Sequence, residues 1–428
     1  MLIQFTVGNF LSFKDTVTLS MVSSVIREHL DTHVFQASKD LNLLKSVAIY
    51  GANASGKSNF FNAMAFMSQL VGNSSKDSQA EEEISVDMFK LSTETLTKPS
   101  LFEIVFIHEG ISFRYGFEVD KEKVHNEWLF YAPKRREVSL FQRKNNEFII
   151  SNTFKEGKDL ESKTRENALF LSVVAQFNGE ISKKVLKWFK NFNIISGLND
   201  GYGHISTNLL ENNNKQKDLF MTLIRAADLG IEDIELEKSD LPLEGLPQEV
   251  QVMVKGFMED KSMKFGGVQK TEINTIHKKY DENNIFVGFE KFLMNKESQG
   301  TKKLFSLLGP ILDTLLHGKI LVIDELDSRL HPLITGFIIN LFNSNERNPF
   351  KSQLIFNTHD TNLLNKSIFR RDQIWFTEKN SYGSSDLYSL VDYKVRNDAS
   401  YDKDYLMGKY GSIPYPGNFE WMSNSDGE

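Results

Sequence analysis

Cysteine is absent from the 428 residues, which excludes disulfides and thiolate-held metals. Long apolar runs are missing too. None approaches the ~20 residues that a membrane-spanning helix needs, so no membrane partner is expected. A positive excess is lacking as well: 50 Lys and Arg against 57 Asp and Glu leave a net charge of −7, which excludes a uniformly basic coat for nucleic acid. The opening MLIQFTVGNF has neither a basic stretch nor a small-residue cleavage site, so no signal peptide is expected. With no cysteine to oxidise, these features fit the cytoplasm. No heptad run is long enough for a coiled-coil arm, and no internal repeat is visible. Proline is sparse at 9 residues, whereas phenylalanine is abundant at 34. The excess reads as an aromatic core in a chain long enough for two or three domains.

The first residues alternate at Ile3, Phe5 and Val7, the period of an edge strand. Ser46 to Tyr50 is a short apolar run that enters the glycine-bearing stretch Gly51 to Ser58. Phe60, Met64, Met67 and Leu70 then repeat at helical spacing. The local order is therefore strand, glycine loop, helix. Residues 72–83 are polar and read as a surface loop. Leu101 to Ile107 and Ser112 to Val119, separated by His108-Glu109-Gly110, predict a hairpin, followed by a strand at Glu127 to Tyr131. Helices are expected over 177–192, 217–228 and 301–316, the last kinked or broken at Pro310, and a turn at Gly230 leads into a strand at Ile231 to Glu237. A strand is expected at Lys319 to Ile323, a helix after His331 and a strand at Gln353 to Asn357. The α/β segments 40–70 and 298–390 are expected to share one sheet.

Gly51-Ala52-Asn53-Ala54-Ser55-Gly56-Lys57-Ser58 fits the pattern G-x-x-x-x-G-K-[ST] in full. In such a loop the backbone N–H groups of Gly51, Asn53, Ser55, Gly56 and Asn59 and the following helix N-terminus hold phosphate oxygens. Lys57 reaches the β- and γ-phosphates, and Ser58 ligates Mg²⁺. Leu321 to Ile323 leads to Asp324 and Glu325. A buried strand ending in two carboxylates gives one to the metal, Asp324, and one to activate the attacking water, Glu325. Glu297-Ser298-Gln299-Gly300-Thr301 precedes an apolar helix, and Asn357-Thr358-His359-Asp360 closes a strand. On residue type alone Ser298 is a helix cap.

Taken together, the segments MLIQFTVGNFLSFKD, YGANASGKSN, FRYGFEVDKEKVHNEWLFY, ESQGTKKL, LVIDELDSRLHP and NTHD, spread over most of the chain, resemble the ABC-type ATPases of the SMC/RecF/OLD group. The resemblance is closest to the small bacterial AAA-type ATPases of restriction-linked and abortive-infection loci. It implies that Ser298 and Gly300 form a signature motif that grips the γ-phosphate of ATP held by a second subunit, and that His359 senses that phosphate. Departures are Ala54, where many relatives in the wider group have glycine, and a signature without the double glycine of transporter ATPases. Gln69, Gln142 and Gln176 are all candidates for the Q-loop glutamine. Asp327 is either a D-loop residue or part of a surface turn, and His331 either packs or senses.

The expected fold class is α/β: a P-loop NTPase of the ABC-ATPase type, with an antiparallel β subdomain and an inserted mixed helical and α+β region. Residues 1–149 would form the first half of the head, 150–290 a mostly helical insertion, and 291–428 the second half. By the resemblance, Mg²⁺-dependent binding and hydrolysis of ATP closes and opens a homodimer, with higher oligomers open. The chain would be the sensor or switch of an antiphage defence system. About 70 residues follow His359, too few for a ~100-residue TOPRIM domain, so a TOPRIM-like nuclease or toxin effector is expected on a separate chain. The alternative is a RecF/SMC-like repair clamp that binds DNA directly. The basic residues Lys134, Arg135, Arg136, Arg143 and Lys144, and the lysines at 183–190, are the candidates for nucleic-acid contact, against their reading as solvated faces. Trp128, Phe130, Tyr131 and Phe141 read as hairpin core.

Overall fold

The computed structural model describes residues 1–76, 82–134, 136–212, 214–241, 249, 251, 268–395 and 400–414. The chain forms two compact units. One comprises 1–198, 314–328 and 335–428, and the other 199–313 with 329–334.

In the first unit, Leu2–Gly8 pairs antiparallel with Val17–Ser20 and with Ser100–His108. From there Ile111–Val119, Val124–Ala132, Val138–Lys144 and Glu147–Ile150 continue a seven-stranded antiparallel sheet. The hairpin at 109–110 turns through left-handed backbone at both Glu109 and Gly110, as a two-residue turn requires. The second sheet has six strands, in the order Phe192–Ser196, Ile320–Asp324, Gln353–Asn357, Ser46–Tyr50, Ile374–Lys379 and Ser385–Ser389. Its first five strands run parallel, and Ser46–Tyr50 and Gln353–Asn357 are buried along their whole length, as strands covered on both faces must be. The two α/β segments therefore share one sheet, as the sequence predicts.

The helix Lys57–Asn73 buries Phe60, Phe61, Met64 and Met67. Phe60 meets Phe5 and Phe13 edge-on, at ring centroid distances of 5.5 and 5.9 Å, so the abundant phenylalanine does build the core. Two buried polar side chains tie elements together. Gln353 accepts from the Leu2 amide at 2.6 Å and donates to the carbonyls of Leu2 and Leu44, joining the two sheets. Glu127 accepts from the amides of Phe170 and Leu171 and from the Tyr115 hydroxyl, fixing the start of the helix Phe170–Gln176. Burial drives the Glu127 carboxyl above its ordinary value, against the pull of Arg143. Arg143 is itself buried and donates to the carbonyls of Ala168 and Asn145. It is a core residue and is withdrawn as a nucleic-acid candidate.

The second unit holds the helices Gly203–Asn212 and Asn214–Ala226 and a three-stranded antiparallel sheet of Ile231–Leu241, Val268–Tyr280 and Phe286–Leu293. Region 150–290 is therefore not mostly helical: long charged strands occupy much of it. The helix Gln299–His317 passes through Pro310 without the break that is one of the two expectations there. Ser206 supplies the reason. Its hydroxyl accepts from the Gly309 amide and donates to the Phe305 carbonyl, replacing a rung of the helical ladder one residue before the proline. Gly309 makes room, since a Cβ there would lie 2.5 Å from the Ser206 amide nitrogen. The surface loop expected at 72–83 begins after a helix that runs to Asn73, and its residues 77–81 lie outside the described residues. Arg135 lies outside them as well.

Candidate functional site

The phosphate loop leaves the buried strand Ser46–Tyr50 and is held from behind. The Ser55 hydroxyl, almost fully buried, lies 2.6 Å from that of Thr377, so its side chain serves the loop's shape and leaves only backbone for a ligand. Gly56 has φ 114°, and a Cβ would meet the Ser385 hydroxyl oxygen at 2.5 Å, so glycine is required on both counts. Ala54 sits at φ 62°, a left-handed position that costs a residue with a Cβ roughly 1–2 kcal/mol; this is the departure from glycine noted in the sequence. Asn59 donates to the Ser12 hydroxyl at 2.8 Å, which also accepts from Ser385.

Lys57 opens a 17-residue helix with no acidic side chain in its first turn, leaving the positive end of the helix dipole unopposed. Its ammonium donates to the Gly51 and Ala52 carbonyls at 2.7 and 3.0 Å. Burial pushes its pKa down to about 8, against the opposite pull of Glu325, Asp324 and Asp327. The Ser58 hydroxyl donates to the Asp324 carboxylate at 3.0 Å. The Asn357 side chain binds this pair of acidic positions at both ends: its amide donates to Asp324, and its oxygen accepts from the Glu325 amide. Glu325 holds left-handed backbone, φ 60°, which turns it away from the strand direction. Gly197 allows this turn, because a Cβ there would come within 1.9 Å of the Glu325 carbonyl oxygen.

These parts enclose a cleft of about 520 Å³, lined by Asn53, Gly56, Lys57, Ser58, Asn59, Glu325 and His359, with Ala54 and Lys379. The structure thus brings together most of the loop residues, the catalytic candidate and His359. The amide of His359 donates to Asp327 at 3.2 Å, which gives Asp327 a task beyond a surface turn. Burial first, then the charge of Lys57, holds the His359 imidazole below its ordinary pKa, against the pull of Asp327, Glu325 and Asp324. Lys379, which lines the cleft, and Asn357 and Gly197, which hold the two acidic positions, carry no assigned role in the sequence reading. None of Gln69, Gln142 and Gln176 lines the cleft.

Ser298 and Gly300 belong to the second unit and are not among the residues lining this cleft. The Ser298 hydroxyl accepts from the Thr301 amide at 3.1 Å and is exposed at the start of the helix. His331 accepts from the Leu333 amide, a helix-start contact. Trp128 donates to Glu103, Phe130 lies under the Arg114 guanidinium, and Phe141 is buried.

The donor set suits the groups the sequence implies. A cationic lysine, a helix N-terminus and free loop amides complement polyphosphate. A hydroxyl beside a carboxylate is the hard-oxygen pair that Mg²⁺ takes together with nucleotide oxygens and water. Among the described residues no group of three or more His, Cys, Asp or Glu could hold a metal by itself, so Ser58 and Asp324 would act with the substrate's own oxygens. Among the described residues no helix is long and apolar enough to cross a membrane.

A family model described as "AAA domain, putative AbiEii toxin, Type IV TA system" matches residues 46–365. No curated protein matches the chain. Among solved structures, the chain is similar to the SMC head domain from Thermotoga maritima, 14% identical over 91% of this chain and 98% of that one, TM-score 0.40. It is similar to the SmcHead bound to the C-winged helix domain of ScpA, 13% identical over 91% and 97%, TM-score 0.42. It is also similar to the Smc head domain with an extended coiled coil bound to the C-terminal domain of ScpA derived from Pyrococcus furiosus, 12% identical over 96% and 98%, TM-score 0.34. These likenesses are distant.

Proposed function

We propose that this chain, which belongs to the AAA-domain family whose model spans its residues 46–365, hydrolyses ATP with Mg²⁺ and uses the cycle to close and open a homodimer. One observation carries the reading: Lys57, Ser58, Glu325 and His359 line a single cleft, with Asp324 hydrogen-bonded to Ser58. Loop amides and Lys57 bind and orient the phosphates. Asp324 and Ser58 would hold Mg²⁺, which when bound neutralises phosphate charge. Glu325, turned out of its strand and fixed through Asn357, is placed to accept the proton of the attacking water. His359, which lines the cleft, can donate a hydrogen bond to the terminal phosphate. Exposed Ser298, with Gly300 and the helix N-terminus behind it, offers an anion site to nucleotide held by a second copy. Free energy for closure then comes from γ-phosphate contacts present in one state and lost in the other.

Complementation tests this reading. Lys57→Ala and Ser298→Arg should each abolish turnover, and mixing the two variants should restore part of it, because a mixed dimer holds one intact composite site. Mixtures that stay dead would refute a shared site. For the task itself, the family description names an AbiEii toxin and a type IV toxin–antitoxin system, which supports an abortive-infection setting. Within it we read the chain as a sensor or switch, with control of a separate TOPRIM-like nuclease or toxin resting on the sequence resemblance alone. A second reading, the DNA clamp, is favoured by a cleft of about 530 Å³ whose lining includes Lys76, Lys183, Lys187 and Lys190. It requires ATP-dependent DNA binding by the chain alone.

A further inference from the structure

The strand Phe286–Leu293 is the outer strand of the three-stranded sheet, and among the described residues no strand pairs with its free edge. Nearly every side chain on it is exposed. Phe286, Phe289 and Leu293 share one face of the strand, and Phe292 stands on the other against His277; with Ile285 and Val287 they give the edge an apolar band, Ile285 61%, Val287 57% and Phe289 60% exposed. Phe286 packs on Phe289 at 5.2 Å and on Tyr280 at 6.3 Å, so the band is a connected surface. Exposed edges are ordinarily blunted by proline, by unpaired charge or by a cover, because a bare edge templates another strand. An apolar band of this extent marks an interaction site.

The charges around the band identify the occupant. Lys279 pairs with Glu290 at 2.6 Å, and Lys291 with Glu235 and Glu237 at 2.7 and 2.5 Å. Lys278 pairs with Glu232 and Lys270 with Glu272. These lysines are neutralised inside the sheet, so the surface offers no positive stripe to a phosphate backbone and demands no charged protein partner. What fits is an apolar, charge-balanced strand, and the strand fits itself. With two copies antiparallel and centred on Phe289, Phe289 meets its own counterpart, Glu290 faces Gly288 of the second copy, and Val287 lies beside the aliphatic stem of its Lys291. Centring on Glu290 or Lys291 would instead set like charges opposite each other.

We propose that Phe286–Leu293 pairs antiparallel with the same strand of a second copy, joining two three-stranded sheets into one of six strands. This contact uses no residue of the nucleotide cleft. It forms without ATP and stands whether or not the ATPase reading holds.

The missing cysteines make the test clean. At the centre of an antiparallel pair the two Cα atoms lie about 4.5–5.5 Å apart, within disulfide reach. Full-length Phe289→Cys, with no nucleotide and a mild oxidant, should run mostly at twice the 49.1 kDa chain mass. Val25→Cys, at a fully exposed position of the first unit, should stay single. Phe289→Cys should cross-link equally in a Lys57→Ala background. Sedimentation of the cysteine-free chain should show a nucleotide-independent dimer that Val287→Lys with Phe289→Lys dissociates. A monomer without nucleotide, or cross-linking no greater than that of Val25→Cys, would overturn the proposal, and the band would then belong to a different protein.

Discussion

His33 is buried, and its Nδ1 donates to Gln373 at 2.8 Å while its ring stacks on His29 at 4.5 Å. Burial pushes its pKa down to about 4, helped by His29, Arg370 and Lys45 and opposed by the Gln373 bond. The folded value thus lies below the unfolded one, near 6.5. Above pH 6.5 the imidazole is neutral in both states and costs nothing. As pH falls toward 4 only the unfolded chain takes up the proton, and the native state loses up to about 3 kcal/mol. Thermal melting should therefore weaken between pH 7 and 4.5, and His33→Gln should weaken less over the same interval. Parallel losses would show that His33 takes no part. The same scale explains why some site residues were legible in the sequence and others were not. Lys57 and Ser58 announce themselves because phosphate binding demands a contiguous run with fixed spacing. Asn357 acts through Asp324 and Glu325 far back along the chain, and Lys379 reaches the cleft from a distant strand; no local pattern encodes either, and Asp327 stands between two readings until its bond to His359 is seen.

At the scale of elements, the two strands that deliver chemistry, Ser46–Tyr50 and Ile320–Asp324, were readable because both are short apolar runs ending in functional groups. Their neighbour Phe192–Ser196 was not, and its end matters. Gly197 bonds through its amide to the Asp324 carbonyl and lies against Glu325. Gly197→Ala should force these strand ends apart, costing about 1–3 kcal/mol of stability as overpacking does. It should also lower ATP turnover with little loss of nucleotide binding, because Glu325 moves and the phosphate loop does not. Unchanged turnover and melting would remove Gly197 from the account. The unbroken course of the helix at Pro310 and the two strands that follow the predicted one at Ile231 to Glu237 escaped the sequence for related reasons. Ser206 repairs the proline from a distant helix, and strands carrying lysine and glutamate on both faces show no alternation of apolar with polar residues.

For the whole molecule, the fold class followed from the order strand, phosphate loop, helix and, much later, strand with two carboxylates. That order fixes one parallel sheet, and the antiparallel sheet beside it was visible as hairpins. The division of the chain was less legible. Helices that look like an insertion, Phe170–Gln176 and Glu180–Phe189, belong to the first unit, whereas the second begins near Asn199. What drives the proposed dimer cycle is the grip of loop and Lys57 on a triphosphate. The most direct measurement is calorimetric titration of the full chain with a non-hydrolysable ATP analogue and Mg²⁺, beside Lys57→Ala. The account predicts saturable binding at about one nucleotide per chain that Lys57→Ala removes. Equal binding by both proteins, or by neither, would contradict it.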